Sequence, residues 1–166
     1  TQGRLHHGVQ SAGNLLNRDE LSFARLAQLV RHHLRAYQTR FAGADCELLR
    51  AFPQALDFES SWYIRMQQGG HLTSHIHESG WVSGVLYLAL PDPSAQANEG
   101  HLELGVHGDS YPQVESAGEW PTQVVPIAVG DIVLFPANLF HRTLPFSSKQ
   151  QRICIAFDLK PAAGPV

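Results

Sequence analysis

Between residues 19 and 42 the apolar side chains recur at helical intervals. Leu26, Leu29, Val30, Leu34, Tyr37 and Phe41 fall on one stripe, while Arg25, Arg31, Arg35 and Arg40 fall mostly on other faces. The pattern predicts one amphipathic helix over 19–42, capped by Asp19 or Asn17 and ended by Gly43. Ahead of it, residues 1–18 carry Gly3, Gly8 and Gly13 and paired histidines, and are expected to be irregular structure on a domain edge. After Ala44 the rhythm changes to short β-branched and aromatic runs broken by Gly, Pro, Asn and Ser. Strands are predicted at 47–52, 60–67, 72–77, 82–90, 101–106, 123–129, 131–136 and 151–159. Pro91-Asp92-Pro93 and Gly130-Asp131 read as turns, 107–122 as a long polar surface loop, and 161–166 as a frayed tail. With no internal repeat and no linker, the chain reads as a single domain over 1–166. It is mainly β: a helix packed on a β-sandwich or jelly roll that occupies about 47–159.

Composition narrows the function classes. The 166 residues are 43% apolar and 16% charged, enough for a packed core and unlike a disordered tail, coiled coil or collagen-like rod. Twelve Lys+Arg against fifteen Asp+Glu give a net charge of −3, which argues against a nucleic-acid partner, since affinity for phosphate comes from clustered cations. No apolar run approaches the ~20 residues that span a bilayer, so no membrane partner is expected. No signal-peptide core follows Thr1-Gln2-Gly3-Arg4, and a chain starting without Met is expected to be processed or cut from a longer one. Cys46 and Cys154 stand far apart and outside any CxxC, the usage of a reducing compartment, and a cytoplasmic location is expected. Oligomeric state leaves no mark on the sequence. Histidine does stand out, with ten copies against one Met and four Tyr.

The chemistry centres on Ser74-His75-Ile76-His77-Glu78. In a strand, residues i and i+2 share a face, so His75 and His77 can converge on one ion, and imidazole suits first-row transition metals. Taken alone, such a pair is as ordinary as two alternating surface histidines. It is joined by His141, which follows the apolar strand Gly130-Asp131…Phe135-Pro136, and by Arg152 after ten intervening residues. A jelly roll lays such distant strands side by side, so His141 can complete a site begun by His75 and His77. Arg152 then aims its fork into the same barrel, where a buried guanidinium calls for a bidentate carboxylate. Without His141 in that place, Arg152 would read as a surface salt bridge to Asp158 or to a loop acid.

The arrangement His75…His141-x10-Arg152 resembles the signature of Fe(II)- and 2-oxoglutarate-dependent oxygenases. More closely, Trp62-x-x-Arg65, Gly69-Gly70, His75-x-His77, Ser83-Gly84-Val85-Leu86-Tyr87-Leu88, Gly130-Asp131…Phe135-Pro136…His141 and Arg152 are similar to an uncharacterised group of small oxygenases. Members of that group are sometimes attached behind tetratricopeptide repeats. Gly8-Val-Gln-Ser11-Ala-Gly-Asn-Leu15 is similar to a segment of the same group, so the likeness runs along nearly the whole chain. It implies a double-stranded β-helix (jelly roll, cupin-like), with Fe(II), the cosubstrate 2-oxoglutarate and O2. It also implies a hydroxylase of a peptidyl or small-molecule substrate that releases succinate and CO2. Iron would be held by His75, the residue two positions on and His141, and the far carboxylate of 2-oxoglutarate by Arg152. Ser83, Val85 and Tyr87 share a strand face, so Tyr87 and Ser83 are candidates to hydrogen-bond 2-oxoglutarate; an ordinary core aromatic is an equal reading of Tyr87.

The family's second ligand is usually Asp or Glu, and here it is His77. The favoured reading is that His77 binds in its own right, giving a three-histidine centre. Alternatively Glu78 swings in, though it should face away in a regular strand, or His75 and His141 bind with water filling the gap. Two other functions compete: a three-histidine cupin-type dioxygenase without 2-oxoglutarate, in which Arg152 clamps the substrate, and a non-catalytic β-sandwich binding module with a structural metal. His32-His33 read as solvated, His6-His7 and His107 as lying in irregular segments, and His71 and His101 as surface residues. Trp62, Trp81 and Phe140 are candidates to wall the pocket, and Cys154 to pack as a small hydrophobe.

Overall fold

The computed structural model describes residues 2–92, 96, 98–108, 111–112 and 121–163. The Pro93 end of the predicted Pro91–Pro93 turn, most of the 107–122 loop and the last three residues of the tail lie outside the described residues. Eight strands form one antiparallel sheet: β1 (Leu5–Gln10), β2 (Leu56–His75), β3 (Val82–Ala89), β4 (Leu102–Leu104), β5 (Gln123–Val125), β6 (Ile132–Pro136), β7 (His141–Thr143) and β8 (Arg152–Pro161), in the order β5-β4-β7-β2-β8-β3-β6 with β1 on β2. The sheet curls on itself as a jelly roll, the double-stranded β-helix the sequence led us to expect.

β2 makes the curl possible. Its first half, from Leu56 to Met66, pairs with β8; its middle pairs with β1; its last residues pair with β7, setting His75 opposite His141. The bend falls at Gly69-Gly70. Gly69 has φ +79°, and a Cβ on Gly70 would come within 2.6 Å of the Met66 Cβ and 2.7 Å of the Gln67 carbonyl oxygen. Only glycine allows the strand to turn there. The runs read as two strands, 60–67 and 72–77, are therefore one bent strand, and it ends at His75 rather than 77.

The helix, α1 (Leu21–Phe41), buries Ala27, Val30 and Leu34. These pack against Leu56, Phe58, Val82, Phe157 and Leu159 on the outer face of the sheet, each large side chain contributing about 1.5–3 kcal/mol by leaving water. Leu29 and Phe41, placed on the apolar stripe by their spacing, are exposed, and neither Asp19 nor Asn17 caps the helix: Glu20 sits at the N-cap without a side-chain bond. The buried stripe is narrower than the pattern implied because only one side of the helix meets the sheet. A second core lies inside the curl and includes Ile64, Met66, Tyr87, Phe146, Cys154 and Ala156.

Three other expectations are corrected. Residues 47–50 form a short helix, α2 (Glu47–Arg50), not part of a strand; Arg50 bonds back to Asp45 and Glu47 across its turn. The N-terminal segment is not irregular throughout, since β1 pairs with β2. Pro161 is paired with Leu56, and Ala162 N–H donates to the Ala55 carbonyl at 3.0 Å, so the tail is held to that point.

Candidate active site

The period-two rule on β8 sorts the molecule into two environments. Arg152, Cys154, Ala156 and Asp158 line a cavity of about 710 Å³ inside the curl, while Phe157 and Leu159 point to the helix. Ser60, Trp62 and Ile64 of β2 and Ser83, Val85 and Tyr87 of β3 line the same cavity, as their alternation predicts. Arg4, Gln10, Ser11, Glu78 and Ser79 add polar groups to its walls.

His75, His77 and His141 meet on one side of this cavity. Their ring centroids are 4.2 Å apart for His75–His141, 5.2 Å for His75–His77 and 5.1 Å for His77–His141. One nitrogen from each lies within 4.8 Å of the others, a spacing at which all three can bind one metal ion. His75 and His141 arrive there on paired strands. His77 arrives differently: it lies beyond the strand end, and its backbone N–H is held by the Ala137 carbonyl at 2.9 Å. Strand alternation led to the expectation that His77 would stand beside His75, and it does, but a turn clasped to the β6–β7 connection brings it there.

Hydrogen bonding settles which nitrogen faces the ion. The Nδ1 atoms of His75, His141 and His77 lie 2.7 Å from the Thr73 carbonyl, 2.9 Å from the Leu139 carbonyl and 2.6 Å from Asp158 Oδ1. Each partner is an acceptor, so each Nδ1 carries a proton and Nε2 is the nitrogen each ring can offer a metal. Burial favours the neutral form of two of them, lowering the pKa of His75 to about 4 and that of His141 to about 3. Glu78 is exposed, accepts a hydrogen bond from the Tyr111 hydroxyl at 3.3 Å and does not belong to the group of side chains close enough to share one ion.

Arg152 is 2% exposed. Its Nε donates to the Gly100 carbonyl at 2.8 Å, Nη1 approaches Cys154 Sγ at 3.4 Å, and the guanidinium carbon stands 5.1 Å from the centre of the Tyr87 ring. No carboxylate among the described residues pairs with it, Asp158 included; the acids Asp109, Glu115 and Glu119 of the 107–122 loop lie outside the described residues. The Tyr87 hydroxyl is buried in the same cavity and has no hydrogen-bond partner among the described residues; burial raises its pKa, as it does that of the Cys154 thiol. A buried cation lacking an anion, beside an orphaned hydroxyl, fits a small ligand that ends in a carboxylate. Ser83 is not free for that ligand: its hydroxyl donates to Asp158 Oδ1 at 2.6 Å.

Of the candidate wall aromatics, Trp62 lines the cavity, its ring 5.6 Å from His77. Trp81 packs against the helix-side core and Phe140 against Tyr111. His101 is half-buried rather than superficial, next to Gly100 on which Arg152 bonds; burial and the Arg152 charge lower its pKa. Asp158 is the site residue whose place the sequence reading missed. Its parity with Arg152 along β8 was the available signal.

Fold and site together describe a double-stranded β-helix protein in which three imidazoles that could hold one metal ion share a cavity with a buried guanidinium. The family model described as "Putative 2OG-Fe(II) oxygenase" matches residues 60–158, and the chain belongs to that family, whose cofactors are Fe(II), 2-oxoglutarate and O2. Solved structures share the fold at low identity. HygX from Streptomyces hygroscopicus with nickel and 2-oxoglutarate bound is 16% identical, covering 95% of this chain and 71% of that one at a TM-score of 0.64. A Pseudomonas putida prolyl-4-hydroxylase is 16% identical over 94% of this chain and 72% of its own, at 0.54. The Trichoplax adhaerens prolyl hydroxylase in complex with a hypoxia inducible factor peptide is 16% identical over 94% and 64%, at 0.59. No curated protein matches the chain.

Proposed function

We propose that this oxygenase is a dioxygenase that hydroxylates a peptidyl or small-molecule substrate by the balanced reaction R–H + 2-oxoglutarate + O2 → R–OH + succinate + CO2. The observation that carries the reading is the buried guanidinium of Arg152, unpaired with any carboxylate among the described residues, in the cavity where three imidazoles converge. His75, His77 and His141 would hold the iron, and Arg152 with the Tyr87 hydroxyl the distal carboxylate of 2-oxoglutarate. Bound there, iron and 2-oxoglutarate supply the means to activate O2 for C–H oxidation. The fixed ring tautomers would present three imidazole nitrogens to the metal, Arg152 would orient the cosubstrate, and apolar Ile64, Val85 and Ala156 line the same cavity. Structural neighbours support both substrate classes: one holds a hypoxia inducible factor peptide, and another HygX structure holds hygromycin B.

The test is anaerobic addition of Fe(II) and then 2-oxoglutarate to the metal-free protein. A visible charge-transfer band on the second addition, and succinate formation once O2 is admitted, are expected. Iron binding with no response to 2-oxoglutarate would instead favour a three-histidine dioxygenase in which Arg152 clamps the substrate's own carboxylate.

A further inference from the structure

The three rings are not held alike. His75 and His141 give their Nδ1 protons to backbone carbonyls, which are neutral, whereas His77 gives its proton to Asp158. Asp158 is 5% exposed between apolar Phe157 and Leu159 of β8, and no Lys or Arg among the described residues pairs with it. Its donors are His77 and two hydroxyls: Ser83 Oγ at 2.6 Å on the same oxygen and Ser60 Oγ at 3.2 Å on the other. Three hydrogen bonds from two neighbouring strands and one turn hold a carboxylate at the back of one ligand ring. Three neutral imidazoles leave the whole charge of a divalent ion uncompensated, and an anion behind a ligand ring makes that ring a stronger donor.

Resting on the proposed metal centre, we infer that Asp158 is the positioning residue of the site. It fixes the His77 tautomer and ring angle, and through the Nδ1–H bond it supplies the negative charge that a carboxylate ligand would otherwise bring. In effect, the carboxylate of a facial triad has moved one residue back, from the ion to the far side of an imidazole.

The test uses Co(II), whose visible bands report binding without turnover, titrated into the metal-free parent, Asp158→Asn, His77→Asp and the double variant, with His141→Ala marking the site. Asparagine keeps the shape and an acceptor but removes the charge, so Asp158→Asn should bind Co(II) about 10–100-fold more weakly and with shifted bands. In the His77→Asp background a carboxylate already faces the ion, and adding Asp158→Asn should cost less than about threefold, since the second charge is then redundant. Equal Co(II) affinity in the parent and Asp158→Asn would overturn the inference and leave the metal centre standing. So would an equal loss in both backgrounds, because Asp158 would then merely tie strands together. A parent that binds no Co(II), or binds it equally well after His141→Ala, would overturn the metal centre and the inference together. Should Asp158→Asn fail to fold, nitrogen-15 shifts of the metal-free parent decide: His77 must carry its proton on Nδ1, and a proton on Nε2 overturns the inference.

Discussion

Arg152 shows how much one side chain can demand of its surroundings. Its Nε bond to Gly100 and the Tyr87 ring beneath it hold the planar group in one orientation, leaving donors for an incoming carboxylate. Arg152→Lys keeps a charge but loses the fork. We expect 2-oxoglutarate affinity to fall roughly ten- to hundredfold, a cost on the order of 1.5–3 kcal/mol, with Fe(II) affinity nearly unchanged. Separate titrations of the two ligands check this. A parallel loss of iron affinity would mean that Arg152 supports the metal centre and not the cosubstrate. The histidines follow the same logic at smaller reach: an acceptor two residues upstream, Thr73 for His75 and Leu139 for His141, is enough to set the tautomer.

Elements carry the residues to one place, and β2 does most of that. Its 20 residues serve first as partner to β8 and last as partner to β7, so the bend between them sets how His75 faces His141. Gly70→Ala puts a methyl carbon against Met66 and the Gln67 carbonyl, a clash with backbone that a rotamer change cannot relieve. It should lower stability by about 1–3 kcal/mol in urea denaturation, and it should weaken Co(II) binding although no ligand is touched. Undiminished metal affinity in a destabilised variant would show that the bend serves folding alone. β8 works by parity: one face of a single strand carries both Arg152 and Asp158 into the cavity, while the other face builds the core under α1.

At the scale of the whole molecule, burying a metal centre has a cost when the metal is absent. An exposed, unfolded histidine protonates near pH 6.5, whereas burial holds His75 neutral to about 4 and His141 to about 3. Between those limits the unfolded chain takes up protons that the folded one refuses, so stability falls as pH falls. The slope approaches about 1.4 kcal/mol per pH unit for each ring below pH 6.5, and the pair loses roughly 3 kcal/mol between pH 6.5 and 5. Urea denaturation of metal-free protein across that range measures it, and His141→Asn should halve the slope. A stability independent of pH from 7 to 5 would show that the rings are not excluded from water as the fold places them.

Much of this was legible in the chain. Helix against strand, the alternation of Ser83, Val85 and Tyr87, and the chemical types at 75, 77, 141 and 152 follow from local periodicity and from what imidazole and guanidinium can bind. Those are properties of neighbouring residues and need no partner to express them. What the sequence could not settle depended on pairing across distance. The 47–52 run had a strand's apolar texture, yet its ion pairs close a helical turn. Residues 5–10 look irregular until β2 offers them an edge. His77 and Asp158 are 81 positions apart, and no pattern within either segment encodes that one will hold the other; the register of β8 between β2 and β3 decides it. The same register buries Arg152 with no acid paired to it among the described residues. Local covalent geometry determined which residues could act, and only the closed sheet, by choosing their neighbours and excluding water, decided which of them share a site.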